Sequence, residues 1–253
     1  MNLQNDWEFN VLQIYNYKLD GKLKEYFNFI TTNFDKLEGD ICEVGVYRGF
    51  SILATGLLLK ELGSDKKIYG FDSFSGLPSY HENDSLEKFE ELYNLNVISE
   101  EHYFDSIQNM KYKEFMSGKN LNPSTISSSL DFSKTSLSLL KSKIEYLGLD
   151  NIILVDGDFQ ETMKEKFSED KTFMAALIDC DLYESHKVSL PFVWDRLVLK
   201  GYMFLDEYYS LKFPGARIAT NDFFLQKKDK PQMHPRKFMD FERWYVKKSS
   251  LTL

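Results

Sequence analysis

Cysteine is scarce in this 253-residue sequence: Cys42 and Cys180 are the only two, each inside an apolar stretch. Two buried thiols make no disulfide framework, and a chain of this length buries enough surface to fold without one. They suit a reducing compartment, so the expected location is the cytoplasm. No run of about eighteen apolar residues occurs, so no membrane-spanning helix is expected. The opening M-N-L-Q-N-D-W-E-F lacks the basic and apolar regions of a secretory signal, and none is expected. A basic excess is missing too. Lys and Arg number 31 against 39 Asp and Glu, a net charge of -8, whereas a general nucleic-acid binder needs a basic face. The local basic stretch from Lys227 to Lys248 reads as solvated surface. There is no Gly-x-Gly-x-x-Gly loop, which makes a dinucleotide pyrophosphate a poor fit.

What is present is a rhythm of apolar strands and amphipathic helices. G-D-I-C-E-V-G-V (39–46), K-I-Y-G-F-D-S (67–73), N-I-I-L-V-D-G-D (151–158), F-M-A-A-L-I-D (173–179) and G-Y-M-F-L-D-E-Y (201–208) are near-continuously apolar and end in acids or glycine. Strands apolar on both faces belong to parallel sheets covered by helices. Residues 50–62, 133–147 and 184–197 carry helical spacing and supply that cover, the last despite Pro191. The alternation predicts a doubly wound α/β fold in a single domain over 1–253. Residues 1–38 form an N-terminal helical segment in which Trp7, Leu12, Tyr15, Leu19, Leu23, Tyr26, Phe27 and Ile30 recur at helical spacing. Residues 79–131 interrupt the alternation and are expected to be a helical insertion that acts as a lid.

Ligands of open α/β sheets bind outside the carboxyl ends of the strands, where the notable residues of this sequence fall. The first strand-to-helix turn, E-V-G-V-Y-R-G, carries Gly45 and Gly49, which allow close approach of a ligand to the backbone. Asp72 at the end of the second strand is placed to accept hydrogen bonds from a ribose diol, so a nucleoside-containing ligand is expected. Asp156 and Asp158 end the third strand, Asp179 the fourth, and Asp206 with Glu207 the fifth. If the last two strands are neighbours, Asp179, Asp206 and Glu207 converge. Several clustered carboxylates stay ionised together only beside a cation, and oxygen ligands favour Mg2+, Ca2+ or Mn2+. Asp181 and Glu184 stand between supporting that cluster and capping the next helix.

These stretches resemble the macrocin O-methyltransferase family, enzymes that use S-adenosylmethionine and Mg2+ to methylate sugar hydroxyls. G-D-I-C-E-V-G-V-Y-R-G, F-D-S-F-S-G-L-P, G-D-F-Q-E-T-M, D-C-D-L-Y-E-S, G-Y-M-F-L-D-E-Y and F-P-G-A-R carry the resemblance, in that order. It implies a class I, Rossmann-like methyltransferase fold with a seven-stranded, mostly parallel sheet and a reversed final hairpin, its last strand within 237–248. It also implies that Glu43 and Gly45 border the methionine part of the cofactor, with Tyr47, Gly49 and Ser51 from the same turn counted with them. Asp72 would bind the ribose, with Ser73 beside it, and Asp158 and Phe159 would border the adenine. Asp179, Asp206 and Glu207 would hold the metal. The family usually has two aspartates at the fifth strand end where this chain has Asp206 and Glu207, and its insertion is shorter than 79–131.

The expected chemistry is methyl transfer to a hydroxyl of a sugar, a glycan precursor or a glycosylated natural product. A metal on two neighbouring hydroxyls would fix geometry and lower their pKa. Asp179 is the first candidate base and His186 a second. The lysine that related catechol-type enzymes carry three residues after the first metal aspartate is replaced by Leu182. His81 and His102 lie in the insertion, within possible reach of the acceptor. Tyr208, Tyr209 and Arg217 follow the metal strand and are candidates for the acceptor pocket. The expected partner is a small hydroxylated molecule, with no nucleic acid or membrane, and a homo-oligomer is possible. Two other readings stand beside this one: a metal-dependent nucleotide-sugar glycosyltransferase using D-C-D, and a non-catalytic nucleoside-binding domain.

Overall fold

The computed structural model describes residues 3–167, 170–237 and 240–249. Its strands are β1 (Asp40–Val44), β2 (Ile68–Asp72), β3 (Ile152–Asp156), β4 (Phe173–Ile178), β5 (Leu197–Leu205), β6 (Gln232–Met233) and β7 (Trp244–Lys247). They form one sheet ordered β3-β2-β1-β4-β5-β7-β6. The first five run parallel, and β7 is antiparallel to both β5 and β6. This is the expected seven-stranded sheet with its reversed hairpin. The strand expected within 237–248 is β7; residues 238–239 of that stretch lie outside the described residues.

β4 shows why the sheet is central. Every residue from Phe173 to Ile178 is buried, and the side chains divide between two faces. Met174 and Leu177 pack with the first helices and α3 (Phe50–Glu61), while Ala176 and Ile178 pack toward α8 (Tyr183–Arg196) and α9 (Pro214–Phe224). Each large apolar side chain removed from water in these layers contributes about 1.5–3 kcal/mol before entropy is counted. α6 (Leu137–Leu147) starts on Ser136, whose side chain accepts the Leu139 amide, and ends on Gly148 in the left-handed region. Both are ordinary helix stops that the sequence encodes.

The N-terminal segment is two helices, α1 (Asp6–Leu12) and α2 (Lys24–Asn33), rather than one continuous amphipathic run. Trp7 and Leu19, which share the apolar spacing, are 64% and 54% exposed, so spacing alone overstated their burial. Phe9, Tyr26 and Ile30 are fully buried, and Phe29 stacks on Tyr202 of β5 at 4.7 Å between ring centroids. The stretch between the two helices crosses the carboxyl end of the sheet and carries Tyr15 and Lys22 to the central cavity.

Residues 79–131 are indeed largely helical: a 3-10 turn (Glu82–Asp84), α4 (Lys88–Asn94) and α5 (Glu100–Ser117). Phe89, Leu92 and Ile98 form a small core of their own, with Ile218 of α9 packed against it. Asp84 is buried and accepts the Tyr183 amide at 2.9 Å, the first amide of α8. No helix is long and apolar enough to cross a membrane among the described residues.

Candidate functional site

A cavity of about 550 Å³ opens over the carboxyl ends of β1, β2, β3 and β4. Its position follows from the strand order. β2 and β4 flank β1, so the chain leaves β1 and β4 in opposite directions and a crevice remains between their ends.

The β1–β2 wall is a turn held by one carboxylate. Asp72 Oδ2 accepts the amides of Val46 and Tyr47, each at 2.8 Å, and Oδ1 accepts the Phe74 amide at 2.7 Å. This anchors Tyr47 at φ 50°, a conformation costly for a bulky side chain. Gly45 (φ +88°) must be glycine: an added Cβ would lie 1.9 Å from the Asp179 carbonyl oxygen. Gly49 has a different role. A Cβ there would meet Leu140 at 2.3 Å, so this glycine serves helix packing, and it does not line the cavity. The segment just after the insertion closes the same wall: Thr135 donates to the Tyr47 carbonyl at 2.7 Å, and Phe132 meets the Tyr47 ring edge-on at 5.2 Å.

Of the residues expected at the cofactor, Gly45, Tyr47, Ser51, Asp72, Ser73, Asp158 and Phe159 line the cavity. Glu43 does not. It is fully buried below the turn, its Oε1 accepts from Ser51 Oγ at 2.7 Å, and its Oε2 has no hydrogen-bond partner. Burial, with the neighbouring Asp72 charge adding to it, pushes its pKa up to about 8. Asp158 caps α7 (Phe159–Glu161), accepting the Gln160 amide at 2.7 Å through Oδ1.

On the β4–β5 side, Asp179, Asp206 and Glu207 each offer an oxygen within 4.8 Å of the others. Asp179 and Glu207 line the cavity, Asp206 lies just beneath it, and Asp181 joins the cavity wall at φ 57°. Burial, then the Asp206 charge, raises Asp179 well above the usual carboxylate range; burial and Glu207 raise Asp181 to about 7. Two lysines that spacing does not reveal face these acids. Lys22 Nζ lies 2.5 Å from Asp206 Oδ2, and Lys212 Nζ lies 3.8 Å from Glu207 Oε1. Burial acts to lower the Lys22 pKa, but Asp206, Asp179 and Glu207 outweigh it and keep the ammonium charged. Asp206 Oδ1 is buried and has no hydrogen-bond partner. An orphaned carboxylate oxygen among clustered acids fits a hard divalent cation, which Asp179, Asp206 and Glu207 would hold.

The capping question at α8 resolves toward a residue outside the D-C-D stretch. The N-cap, Leu182, offers no side-chain bond, and the first amide goes to Asp84 from the insertion. Asp181 and Glu184 line the cavity instead.

Four acceptor-side candidates are not cavity residues. His186 is 1% exposed, and its Nδ1 lies 3.0 Å from the Leu182 carbonyl oxygen. Tyr208 donates to Asn221 at 2.7 Å, and the Arg217 guanidinium sits 3.9 Å from the Tyr208 ring centroid and donates to the Tyr208 and Val97 carbonyls. Tyr209 donates to Asp105 at 3.0 Å and stacks on His102. Of these, Arg217 and Tyr209 fasten the insertion to the segment after β5. His102 is likewise turned to the Ser210 carbonyl at 2.7 Å, and His81 stacks on Tyr183 with Nε2 3.9 Å from Glu184.

Residues 20–115 match the family model Macrocin-O-methyltransferase (TylF). No curated protein matches. Among solved structures, the O-methyltransferase NovP is similar at TM-score 0.60 and 16% identity, over 96% of this chain and 80% of that one. CalS11, a calicheamicin methyltransferase, is similar at TM-score 0.61 and 17% identity over the same shares. An O-methyltransferase from Bacillus cereus, solved in complex with SAH, is similar at TM-score 0.51 and 10% identity, over 98% and 93%. At these identities the likeness is one of fold, and the fold is that of the class I methyltransferases.

Proposed function

We propose that this protein is an S-adenosylmethionine-dependent O-methyltransferase that methylates a hydroxyl of a small sugar-bearing acceptor with the help of a divalent cation. One observation carries the reading. A single cavity joins the acid-held turn Gly45–Tyr47, Asp72 and Asp158 to the carboxylates of β4 and β5. A nucleoside-containing donor fits the first wall, and a hydroxyl acceptor fits the second. The family match over 20–115 and the likeness to NovP and CalS11 support the same reading.

In this reading Gly45, Tyr47, Ser51 and Ser73 border the donor, Asp72 keeps the turn in shape and faces the ribose, and Asp158 with Phe159 flanks the base. Asp179 takes the hydroxyl proton. It stands where β1 and β4 meet, beside both walls. When bound at Asp179, Asp206 and Glu207, Mg2+ supplies Lewis-acid polarisation of the acceptor oxygen. The 79–131 insertion acts as the lid; no residue of it lines the cavity, but the residues that flank it, Ser75 to Pro78 and Phe132, form part of the wall. A cytoplasmic setting suits the two buried free thiols.

Thermal unfolding tests the donor. A ligand that binds only the folded state raises its stability by RT ln(1 + [L]/Kd). S-adenosylhomocysteine is expected to raise the melting temperature, and a nucleotide-sugar is not; the opposite pattern sinks the methyltransferase reading.

A further inference from the structure

Two side chains that methyl transfer leaves without a task share the cavity with its carboxylates. Lys22 enters from the stretch between α1 and α2, where Arg243 Nε donates to its carbonyl at 3.2 Å. Lys212 enters from the loop before α9, its ammonium 5.1 Å from the Phe213 ring centroid and 5.9 Å from that of Phe132. The two therefore reach the acids from separate, independently anchored segments.

These contacts differ from ordinary surface ion pairs, which contribute little. The lysine side chains are 39% and 30% exposed, but the acids they face are only 2% (Asp206) and 9% (Glu207) exposed. Charges interact strongly where the carboxylates have lost their water. With all four ionised, as beside a cation, Asp179, Asp181, Asp206 and Glu207 stand against these two ammonium groups and leave two negative charges uncompensated. A second, independent feature points to an ion. Asp206 gives Oδ2 to Lys22 while its buried Oδ1 has no hydrogen-bond partner. An ion with two positive charges balances the cluster; a trivalent ion leaves an excess.

We infer that Lys22 and Lys212 set the cation specificity of this site: by cancelling two of the four negative charges, they admit one divalent ion and disfavour ions of higher charge. The inference rests on the cation-assisted reading above and adds what determines the ion. Lys22 acts by direct contact with Asp206. Lys212, at 3.8 Å from Glu207, acts through space.

The test is calorimetric titration of Mn2+ and luminescence titration of Tb3+ into the wild type, Lys22→Met, Lys212→Met and Lys22→Arg, with S-adenosylhomocysteine binding measured on each form. Removing one ammonium is expected to tighten Mn2+ by about tenfold or more and Tb3+ by a larger factor, as the Coulomb energy scales with ion charge. Lys22→Arg, which keeps the charge, retains wild-type selectivity. A Lys→Gln change replaces any Met variant that fails to fold. Unchanged or weakened ion binding in both neutral variants, or no ion binding by any form, overturns the inference. Ion binding by the neutral variants alone overturns it as well, because the wild type then admits no divalent ion, and removes the cation from the proposed reaction. Loss of S-adenosylhomocysteine binding in every form overturns the methyltransferase reading instead, and the ion series still decides the role of the lysines.

Discussion

The two walls of the cavity use the same residue type at the same topological position for opposite ends. Asp72 closes β2, and both its oxygens are engaged by backbone amides. Asp206 follows β5, and one of its oxygens is buried with no partner while the other meets an ammonium group. An acid at a strand end is therefore no single signal. Where amides converge on it, it shapes a turn and its charge is spent locally. Where other acids converge on it, charge accumulates and calls for a cation. The first wall is built to hold a shape, the second to hold charge.

The strongest way to break this contrast is to neutralise one acid on each side. Asp179→Asn should lower turnover by about two orders of magnitude or more, a loss of the size seen when a central electrostatic group is removed. Its affinity for S-adenosylhomocysteine should stay within about twofold, since the donor wall is separate. Steady-state kinetics beside equilibrium binding checks both. If cofactor affinity falls as far as turnover, the two walls are not independent.

Asp72→Ala should do the reverse. Three amides lose their acceptor, which costs roughly 1–3 kcal/mol of stability and releases Tyr47 from its left-handed conformation. Cofactor affinity should fall about tenfold or more, measured by calorimetry, while Mn2+ binding at the other wall is kept.

A smaller effect separates structural from chemical acids on the donor side. Glu43 has its pKa raised from 4.5 to about 8 by burial. The folded state thus holds a proton that the unfolded chain has released. Stability contributed by this group is present below about pH 4.5 and is lost as pH rises toward 8. Between pH 5 and 8 the loss is on the order of 3 kcal/mol, and Glu43→Gln should reduce that slope in thermal unfolding. A profile unchanged by the substitution would show that Glu43 is not a buried, protonated acid.

The smallest expected change concerns a residue outside both walls. Tyr208→Phe removes one hydrogen bond to Asn221 and should cost about 1 kcal/mol without altering the acceptor KM. A raised KM would return Tyr208 to the acceptor pocket.

Much of this architecture was legible in the sequence because its signals are local. Continuous apolar strands, Ser136 and Gly148 at the ends of α6, and acids at strand ends each follow from a few adjacent residues. The convergence of Asp179, Asp206 and Glu207 followed from placing β4 beside β5, a rule of the fold rather than of spacing. What could not be read depends on distant segments meeting. Lys22 sits in D-G-K-L-K-E, where a lysine looks like a solvated helix charge, and nothing local ties it to Asp206. Lys212 stands in L-K-F-P-G-A-R, five residues before Arg217, and nothing local ties it to Glu207. Arg217, expected in the acceptor pocket, turned to Tyr208 and Trp244. Tyr209 looked like a pocket residue because it follows the metal strand, and His102 because it lies in the insertion, yet they stack on each other to fasten the insertion. Polar and aromatic side chains serve packing or ligands equally well, and only tertiary contacts separate the two uses.

On the reading proposed above, one cavity binds S-adenosylmethionine on its β1–β3 wall independently of the cation on its β4–β5 wall. Calorimetric titration of S-adenosylhomocysteine into the wild-type protein with a chelator present tests this most directly. Binding at one site per chain, largely unchanged when Mn2+ replaces the chelator, is the predicted result. No binding under either condition would contradict the account.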